Sequence, residues 1–303
     1  MTSVHIIGKP DAARPRRKGL AALAAYHTFR RLVQTGILAF ITFIAFRHIL
    51  VGEGGDTITA SWEAYCPMGG LESLYRFITS GGKFVTHVHL SNMILLVATL
   101  AVAVVARNAF CGWACPLGFI QDMVSSFSSW IQRRVPSLRQ WIKHIKKRGA
   151  RLAVLDRYLR FLKYGVLVWS VAGAAAFGFM VFRDVDPWAA LWGLLEASLS
   201  AGTIVLAVLL VASLFVERPW CRYACPLGAA TGLVGMLSPF YLKRVESACT
   251  SCGICSRACP VGLPVHTATT IKHPDCMGCL ECVGECPREG ALSLVVGLPI
   301  VGK

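Results

Sequence analysis

Charged residues are scarce in this sequence, and acidic ones are scarcer still. Only 16% of the 303 residues are charged, and 16 acidic residues stand against 31 basic ones. Soluble domains usually carry about 25% charged residues, so the composition disfavours a wholly soluble protein. A net charge of +15 would indicate a nucleic-acid partner in a soluble protein. Here the basic residues flank apolar stretches, so a membrane surface accounts for them and no nucleic-acid partner is expected.

Several familiar motifs are missing as well. The sequence contains no G-x-G-x-x-G or P-loop motif, so no nucleotide site is expected. It contains no C-x-x-C-H motif, the attachment signal of c-type haem. No signal-peptide cleavage site precedes the first apolar run, which is therefore expected to be a retained membrane helix.

Four apolar stretches are long enough to cross the ~30 Å hydrocarbon core of a bilayer. They are Leu32–Val51, Val88–Ala106, Leu159–Phe182 and Ala201–Val216. A fifth stretch, Ala229–Leu242, contains two glycines and a proline. It is expected to form an interfacial or half-buried helix, with a full span as the alternative.

Loop charge predicts the orientation of these spans, because cytoplasmic loops carry the excess of Lys and Arg. The stretch 107–163 has twelve basic and two acidic residues. The stretch 52–87 has two basic and four acidic residues, and 183–200 has one basic and three acidic. The chain is thus predicted to be a multi-pass protein of a bacterial-type inner membrane. Its N terminus and C-terminal segment are expected in the cytoplasm, and the two acidic loops on the outer side.

An internal repeat divides the apolar region. The sequence C-G-W-A-C-P-L-G at 111–118 recurs as C-R-Y-A-C-P-L-G at 221–228, which is 110 residues later. Each copy follows an apolar stretch predicted to run inward. Each half also has a short helical stretch in its outer loop, at Gly70–Ile78 and at Trp188–Ala197. The core is therefore predicted to consist of two halves of parallel topology, related by an axis along the membrane normal.

The densest cysteine pattern is near the C-terminal end, where eight of the thirteen cysteines fall within Cys249–Cys286. Two runs have the spacing C-x2-C-x2-C-x3-C-P, in which the fourth cysteine of each run ligates the other [4Fe–4S] cluster. Zinc sites also use C-x2-C pairs, but two consecutive four-cysteine runs favour two [4Fe–4S] clusters. The first cluster is assigned to Cys249, Cys252, Cys255 and Cys286, and the second to Cys276, Cys279, Cys282 and Cys259.

The repeated C-x3-C-P pairs are less specific in their chemistry. Cysteines at i and i+4 share one helical face, so each pair could supply two ligands. Brought together by the repeat, the two pairs would offer four thiolates to an additional Fe–S cluster or another thiophilic metal. A redox dithiol or disulfide and buried packing cysteines are the alternatives. The residues are Cys111, Cys115, Cys221 and Cys225.

Two weaker candidates lie toward the outer side. Cys66 is followed by Pro-Met-Gly-Gly in the first outer loop, where it is either a ligand or thiol that faces an outer partner or a buried cysteine in a tight turn. His48, His87 and His89 are at the outer ends of spans. They are candidates for haem ligation or for handling quinol protons, with solvated interfacial histidines as the alternative.

These motifs resemble the NapH family, the ferredoxin-type membrane subunits associated with periplasmic nitrate reductase. The MauN-like methylamine-utilisation proteins and the membrane half of NosR-like regulators are similar. The resemblance covers about residues 30–290 and implies quinol oxidation, with electrons passed to a redox partner such as a cytochrome, a ferredoxin or a reductase subunit. The Cys66-Pro-Met-Gly-Gly sequence is closer to the NosR-like pattern. Because the outer loops are short, a hetero-oligomer is expected.

The predicted fold is an all-α membrane protein with four transmembrane helices in two parallel-topology halves, followed by a small α+β bacterial-type 2[4Fe–4S] ferredoxin domain. The predicted domains are a basic cytoplasmic segment (1–30), a transmembrane domain (31–244) and a ferredoxin-like domain (245–303). The predicted function is electron transfer between the quinol pool and a redox partner complex, as a quinol dehydrogenase subunit. The alternatives are electron donation across the membrane to mature or activate a periplasmic metalloenzyme, and a cluster-bearing assembly or sensor subunit.

Overall fold

The structure, a computed structural model, describes residues 4–7, 20–51, 66–79, 90–137, 140, 150–177, 179–194 and 200–297. The chain forms two compact units, and each is built from separate stretches of sequence. The first unit contains residues 1–36, 99–115 and 230–303, and the second contains 37–98 and 116–229.

Helices dominate the described part of the chain. A π-helical turn at Phe110–Ala114 lies between the third and fourth of them. The α-helices are α1 (Leu20–Val51), α2 (Pro67–Thr79), α3 (Leu90–Ala106), α4 (Pro116–Arg134), α5 (Ala150–Phe177), α6 (Pro187–Gly193), α7 (Ala201–Ser213), α8 (Pro219–Tyr223), α9 (Pro226–Val234), α10 (Ile254–Arg257) and α11 (Glu281–Gly284).

Proline begins five of these helices. Its fixed φ suits the first helical position, and its missing N–H is not needed there. In α6 the cap is completed by Asp186, whose Oδ1 accepts the N–H of Trp188 at 3.0 Å. The five residues are Pro67, Pro116, Pro187, Pro219 and Pro226.

In the first unit, four strands form an antiparallel sheet in the order β1-β4-β2-β3. The strands are β1 (Val4–Ile7), β2 (Phe240–Arg244), β3 (Thr270–Ile271) and β4 (Leu292–Val296). The segment predicted to be a separate basic N terminus thus supplies an edge strand of this sheet. The sheet also starts at Phe240, before the boundary at 245 that the sequence predicts.

The single-turn helices α10 and α11 lie within the two cysteine runs, and apolar side chains join them to the sheet in one core. This small α+β arrangement positions the cysteines. The core includes Leu242, Val261, Leu263, Val265, Ile271, Val283 and Leu292, together with Cys111, Cys276 and Cys282.

In the second unit, α2 packs on α5, α6 packs on α7, and α4 packs on both α7 and α8. Beyond the end of α5 the chain folds back along this helix. A Cβ on Gly173 would lie 3.0 Å from Val181 Cγ2, and the rings of Trp169 and Phe182 are 6.3 Å apart. The prediction of a helix through Phe182 was therefore wrong for its last residues, because the helix ends at Phe177.

Two described helices contain stretches long and apolar enough to cross a membrane, His27–Arg47 and Leu155–Phe177. The apolar helices Leu90–Ala106 and Ala201–Ser213 are shorter, so four spans stay a prediction. The fifth stretch was predicted as a helix to Leu242. It ends earlier, because Phe240–Arg244 pairs with β4 as a strand.

Candidate metal centres

Two cavities in the first unit are each lined by four cysteines. In each cavity, three of the cysteines come from one run and the fourth comes from the other, which is the crossed arrangement expected from the spacing. The first four, the buried quartet, are Cys259, Cys276, Cys279 and Cys282. The other four, the surface quartet, are Cys249, Cys252, Cys255 and Cys286.

In both cysteine runs, the second and fourth residues after the first cysteine have positive φ angles. Ser251 and Gly253 have φ of 52° and 70°, and Gly278 and Leu280 have φ of 57° and 58°. Successive residues of alternating handedness turn backbone N–H groups toward a common point, which suits an anionic ligand set. Ser251 N donates to Cys249 Sγ at 3.4 Å. The loops are thus shaped to surround sulfur atoms.

The two quartets differ in their surroundings. Apolar side chains of the sheet line the cavity of the buried quartet, and burial raises the pKa of Cys279 to about 12. Burial raises the pKa of Cys282 well above its ordinary value, and the neighbouring cysteines add to the shift. Cys252 of the surface quartet is exposed. The N–H of Ile254 is the main cause that lowers the pKa of the Cys252 thiol.

The donor sets fit iron–sulfur cubanes. Four buried thiolates repel one another and lose solvation, and a cationic cluster offsets both costs. Among the described residues, no group of three His, Cys, Asp or Glu could hold a single metal ion. A cubane takes four cysteines at this loop spacing, with the fourth supplied by the other run.

The first C-x3-C-P loop packs directly on the loop that carries the buried quartet. Cys111 is 6% exposed and belongs to the same apolar core as Cys276 and Cys282. Trp113 Nε1 donates to the carbonyl oxygen of Gly278 at 3.2 Å. Cys111, the first cysteine of the predicted thiol pair, and the predicted cluster site therefore share one core.

Gly112 permits this close approach. A Cβ at this position would lie 2.7 Å from Met277 O and 3.2 Å from Cys279 Cβ. Replacing Gly112 with alanine should destabilise the unit by about 1–3 kcal/mol, because backbone must move. The measurement is the thermal unfolding midpoint together with the EPR spectrum of the reduced protein.

Gly36→Ala is the matched control, since nothing lies within 4 Å of a Cβ there. Gly36 is in α1, where alanine should gain up to about 1 kcal/mol through helix propensity. If Gly112→Ala were as stable as Gly36→Ala, this result would contradict the close approach of Gly112 to Met277 and Cys279.

Arg30 joins α1 to both loops. Its side chain is 7% exposed, and its Nη1 forms an ion pair with Glu281. Its Nε donates to Gly112 O at 3.1 Å, and Gln34 Nε2 donates to the same oxygen at 3.0 Å. Burial raises the pKa of Cys279, and the positive charge of Arg30 lowers it by a smaller amount. In the sequence analysis, Arg30 counted only as a basic residue. Its spacing of four residues from Gln34, which places both side chains on one helical face, was the available signal.

Replacing Arg30 with glutamine should make the reduction potential of the cluster in the buried quartet more negative. A buried positive charge favours the state with the added electron. We expect a shift of about 60 mV, a tenfold change in the equilibrium constant of a one-electron couple. The measurement is a redox titration followed by EPR.

The neighbouring Arg31, which is exposed, provides the control. Arg31→Gln should leave the reduction potential of the cluster unchanged. Arg30→Lys keeps the positive charge, so its potential should stay close to that of the wild type. Equal shifts in Arg30→Gln and Arg31→Gln would show a general charge effect and would contradict the assigned role.

Side chains of α4 hold the second C-x3-C-P loop. Arg218 is fully buried and forms a bidentate ion pair with Asp122, with distances of 2.7 Å (Nε–Oδ1) and 2.6 Å (Nη2–Oδ2). Gln121, also fully buried, accepts the N–H of Trp220 at 3.1 Å. Its Nε2 lies 3.8 Å from Cys221 Sγ. Sequence reasoning missed this network.

The two C-x3-C-P loops close in the same way. Cys115 N donates to Phe110 O at 2.9 Å, and Cys225 N donates to Trp220 O at 2.9 Å. Each second cysteine is followed by the proline that begins a helix. Cys111 and Cys115 belong to the first unit and Cys221 and Cys225 to the second, so the four-thiolate site stays a prediction.

Cys66 directly precedes α2 and lines a cavity in the second unit together with Glu72 and Asp186. The tight turn considered as an alternative is thus the start of a helix. Both carboxyls lie outside the predicted spans, where burial raises the pKa of Glu72 to about 8 and that of Asp186 to about 7. In the sequence analysis, Glu72 and Asp186 were used only in counting the acidic residues of the outer loops.

The Gly-Gly sequence that follows Met68 lets α2 approach α3. A Cβ on Gly70 would lie 2.5 Å from Asn92 O and 2.9 Å from Leu96 Cβ. Asn92 Nδ2 donates to Cys66 O at 2.8 Å. The glycines therefore have a packing role, and Asn92 links α3 to the backbone of Cys66.

The three histidine candidates lie outside what the structure describes. His87 and His89 are not among the described residues, and only the backbone of His48 is.

Comparisons with known proteins match both cysteine regions. Residues 88–136 and 199–244 match a family described as a 4Fe-4S binding domain. Residues 241–287 match a family described as a 4Fe-4S dicluster domain. The first family matches once around each C-x3-C-P loop, in agreement with the internal repeat. No solved structure matches the chain.

Several curated proteins are similar to this chain. YccM of Escherichia coli (strain K12) is 32% identical over 80% of this chain and 65% of its own length. The ferredoxin-type protein NapH of Haemophilus influenzae is 29% identical over 66% of this chain and 68% of its own length. The methylamine utilization ferredoxin-type protein MauN of Methylorubrum extorquens is 33% identical over 52% of this chain and 48% of its own length. The chain thus covers just under two thirds of YccM and about half of MauN.

The motifs, the domain matches and these relatives agree with one another. The chain is therefore similar to the NapH- and MauN-type ferredoxin-type proteins, and it contains [4Fe–4S]-binding domains.

Proposed function

We propose that the chain is an inner-membrane iron–sulfur protein that passes electrons between the quinol pool and a redox partner complex. The observation that carries this proposal is the packing of the Cys111 loop, which follows the apolar helix α3, on the loop of the buried quartet. The buried and surface quartets would each hold one [4Fe–4S] cluster, and a bound cluster gives or takes one electron.

Exposed apolar side chains support a membrane location with four spans. On α1, Phe40, Phe43 and Phe46 are 58–60% exposed, and on α7, Ile204 and Val208 are 69% and 63% exposed. Their spacing of three or four residues places them in a stripe along one helical face. Such a stripe suits lipid better than water. We therefore assign α1, α3, α5 and α7 as spans, with the sheet in the cytoplasm as the loop charges predict.

The surroundings of the quartets suggest an order of electron transfer. The buried quartet is beside the Cys111 loop, and the surface quartet includes the exposed Cys252. Electrons would enter at the membrane, cross the buried quartet and leave from the surface quartet to a cytochrome, ferredoxin or reductase subunit in a hetero-oligomer.

The test is anaerobic purification in detergent, with iron and sulfide analysis and reduction by a quinol. About eight iron atoms per chain are expected for two cubanes, and duroquinol should reduce the clusters. More than about eight, with an EPR signal lost in Cys111→Ser or Cys221→Ser, would establish a further cluster at the C-x3-C-P pairs. Clusters that dithionite reduces and duroquinol does not would overturn the quinol assignment.

One observation favours a second candidate, an electron donor that works across the membrane to mature a periplasmic metalloenzyme. The exposed Cys252 would let a cytoplasmic carrier donate electrons to the surface quartet. Reduced ferredoxin should then reduce the clusters rapidly, and duroquinol should not. The reverse result would favour the first candidate.

A further inference from the structure

Two residues that line the cavity beside Cys66 each carry a buried polar atom without a hydrogen-bond partner among the described residues. Glu72 is fully buried and accepts the N–H of Phe182 through Oε1 at 3.2 Å, whereas its Oε2 has no partner among the described residues. Trp188 is 8% exposed, and its Nε1–H lacks a described partner too. Both side chains line this cavity. A buried polar group left unpaired is costly, so the pair indicates a ligand that both accepts and donates hydrogen bonds.

The rest of the lining points to an organic ring. Met68, Met180 and Phe182 supply apolar walls, Asp186 supplies a second carboxyl, and Arg183 also lines the cavity. Apolar walls with a few convergent polar groups are typical of sites for small organic ligands. Among the described residues, no group of three His, Cys, Asp or Glu is arranged to hold a metal ion.

One wall of the cavity leads toward a predicted redox residue in the same unit. The ring centroids of Phe182 and Trp220 are 6.1 Å apart, and Trp220 directly precedes Cys221. The fold-back of the chain after α5 brings Phe182 to this position. A residue that lines the cavity thus contacts the residue directly before Cys221.

We propose that this cavity binds the head group of a quinol, an inference that rests on the proposed function. Glu72 Oε2 accepts one hydroxyl proton, Asp186 accepts the other, and the Trp188 Nε1–H donates to a ring oxygen. Two O–H bonds break and two C=O bonds form. The two protons would go to the carboxylates, and the two electrons would go to the [4Fe–4S] clusters that the cysteine quartets would hold, one electron to each cluster.

The titration of the two carboxyls supports these roles. Burial raises the pKa of Glu72 to about 8 and that of Asp186 to about 7. A general base works best when its pKa is near the operating pH, because it can then both take and release a proton.

The experiment uses the full chain in nanodiscs under anaerobic conditions, with duroquinol as the reductant and the visible absorbance of the clusters as the signal. In Glu72→Gln the amide oxygen can still accept the Phe182 N–H, so folding should be kept. We expect its duroquinol-driven reduction to slow by about 100-fold, with iron content and dithionite reduction unchanged. Trp188→Phe should raise KM for duroquinol about 10-fold through the lost hydrogen bond, with little change in kcat. Asp184→Asn, an exposed carboxyl in the same segment, should behave as the wild type.

Each other outcome has one meaning. A wild-type rate in Glu72→Gln would overturn this site and leave the proposed function standing. A wild-type protein that dithionite reduces and duroquinol does not would overturn the proposed function and this site with it. If Glu72→Gln lost its iron, Asp186→Asn and Trp188→Phe would decide, and unchanged kcat and KM in both would overturn the site.

Discussion

Replacing Cys259 with serine is expected to remove the cluster of the second cysteine run, although Cys259 belongs to the first run. The residue lines the same cavity as Cys276, Cys279 and Cys282. Cys286→Ser should do the reverse and remove the cluster of the first run, since Cys286 lines the cavity of the surface quartet. Each variant should lose about four iron atoms per chain, the content of one cubane.

EPR spectroscopy of the reduced variants makes this test sharp. The spectrum of Cys259→Ser should match that of Cys276→Ser, and the spectrum of Cys286→Ser should match that of Cys255→Ser. Cys66→Ser is the control and should keep both signals, because Cys66 lines neither cavity. A Cys259→Ser spectrum that matched Cys255→Ser instead would contradict the crossed assignment.

Breaking the ion pair that holds the second C-x3-C-P loop should have the second large effect. Arg218 is fully buried, and its guanidinium makes two hydrogen bonds to Asp122. Arg218→Met leaves the Asp122 carboxylate without its charge partner, which typically costs about 3–5 kcal/mol for a buried pair. Because the Asp122 side chain is 24% exposed, we expect the lower end of that range. The measurement is the thermal unfolding midpoint in detergent.

The double variant Arg218→Met, Asp122→Leu separates charge from packing. Removing both charges should recover most of the lost stability, since apolar replacements of buried ion pairs are often tolerated. If the single and double variants were equally unstable, the loss would come from packing at Arg218 and not from the broken ion pair.

The crossed lining of the two cavities and the helix starts agree with the sequence because their signals are local. The spacing of each cysteine run limits how its loop can curl, and the left-handed residues recur at the same places in both runs. Proline at the start of α4 and α9 follows from the C-x3-C-P sequence itself. Each of these features depends on neighbours a few residues apart.

Other predictions failed where distant parts of the chain compete with a local signal. The apolar stretch to Phe182 suggested one long helix, but the chain folds back after Phe177 and packs on α5. Phe240–Leu242 is apolar enough to extend a helix, yet the edge of β4 offers it backbone partners. In both places, long-range packing overrides the hydrophobic pattern.

By itself, the sequence determined the two four-cysteine runs, the repeated C-x3-C-P loops and the apolar stretches between them. Only the tertiary structure decided which loop lies on the buried quartet and which side chains hold it there. Arg30 and Glu281 are 251 residues apart, and Arg218 and Asp122 are 96 apart. Glu72 and Phe182 are 110 apart. No local pattern marks such partners, because their contact depends on how the whole chain packs and not on the spacing of neighbouring residues.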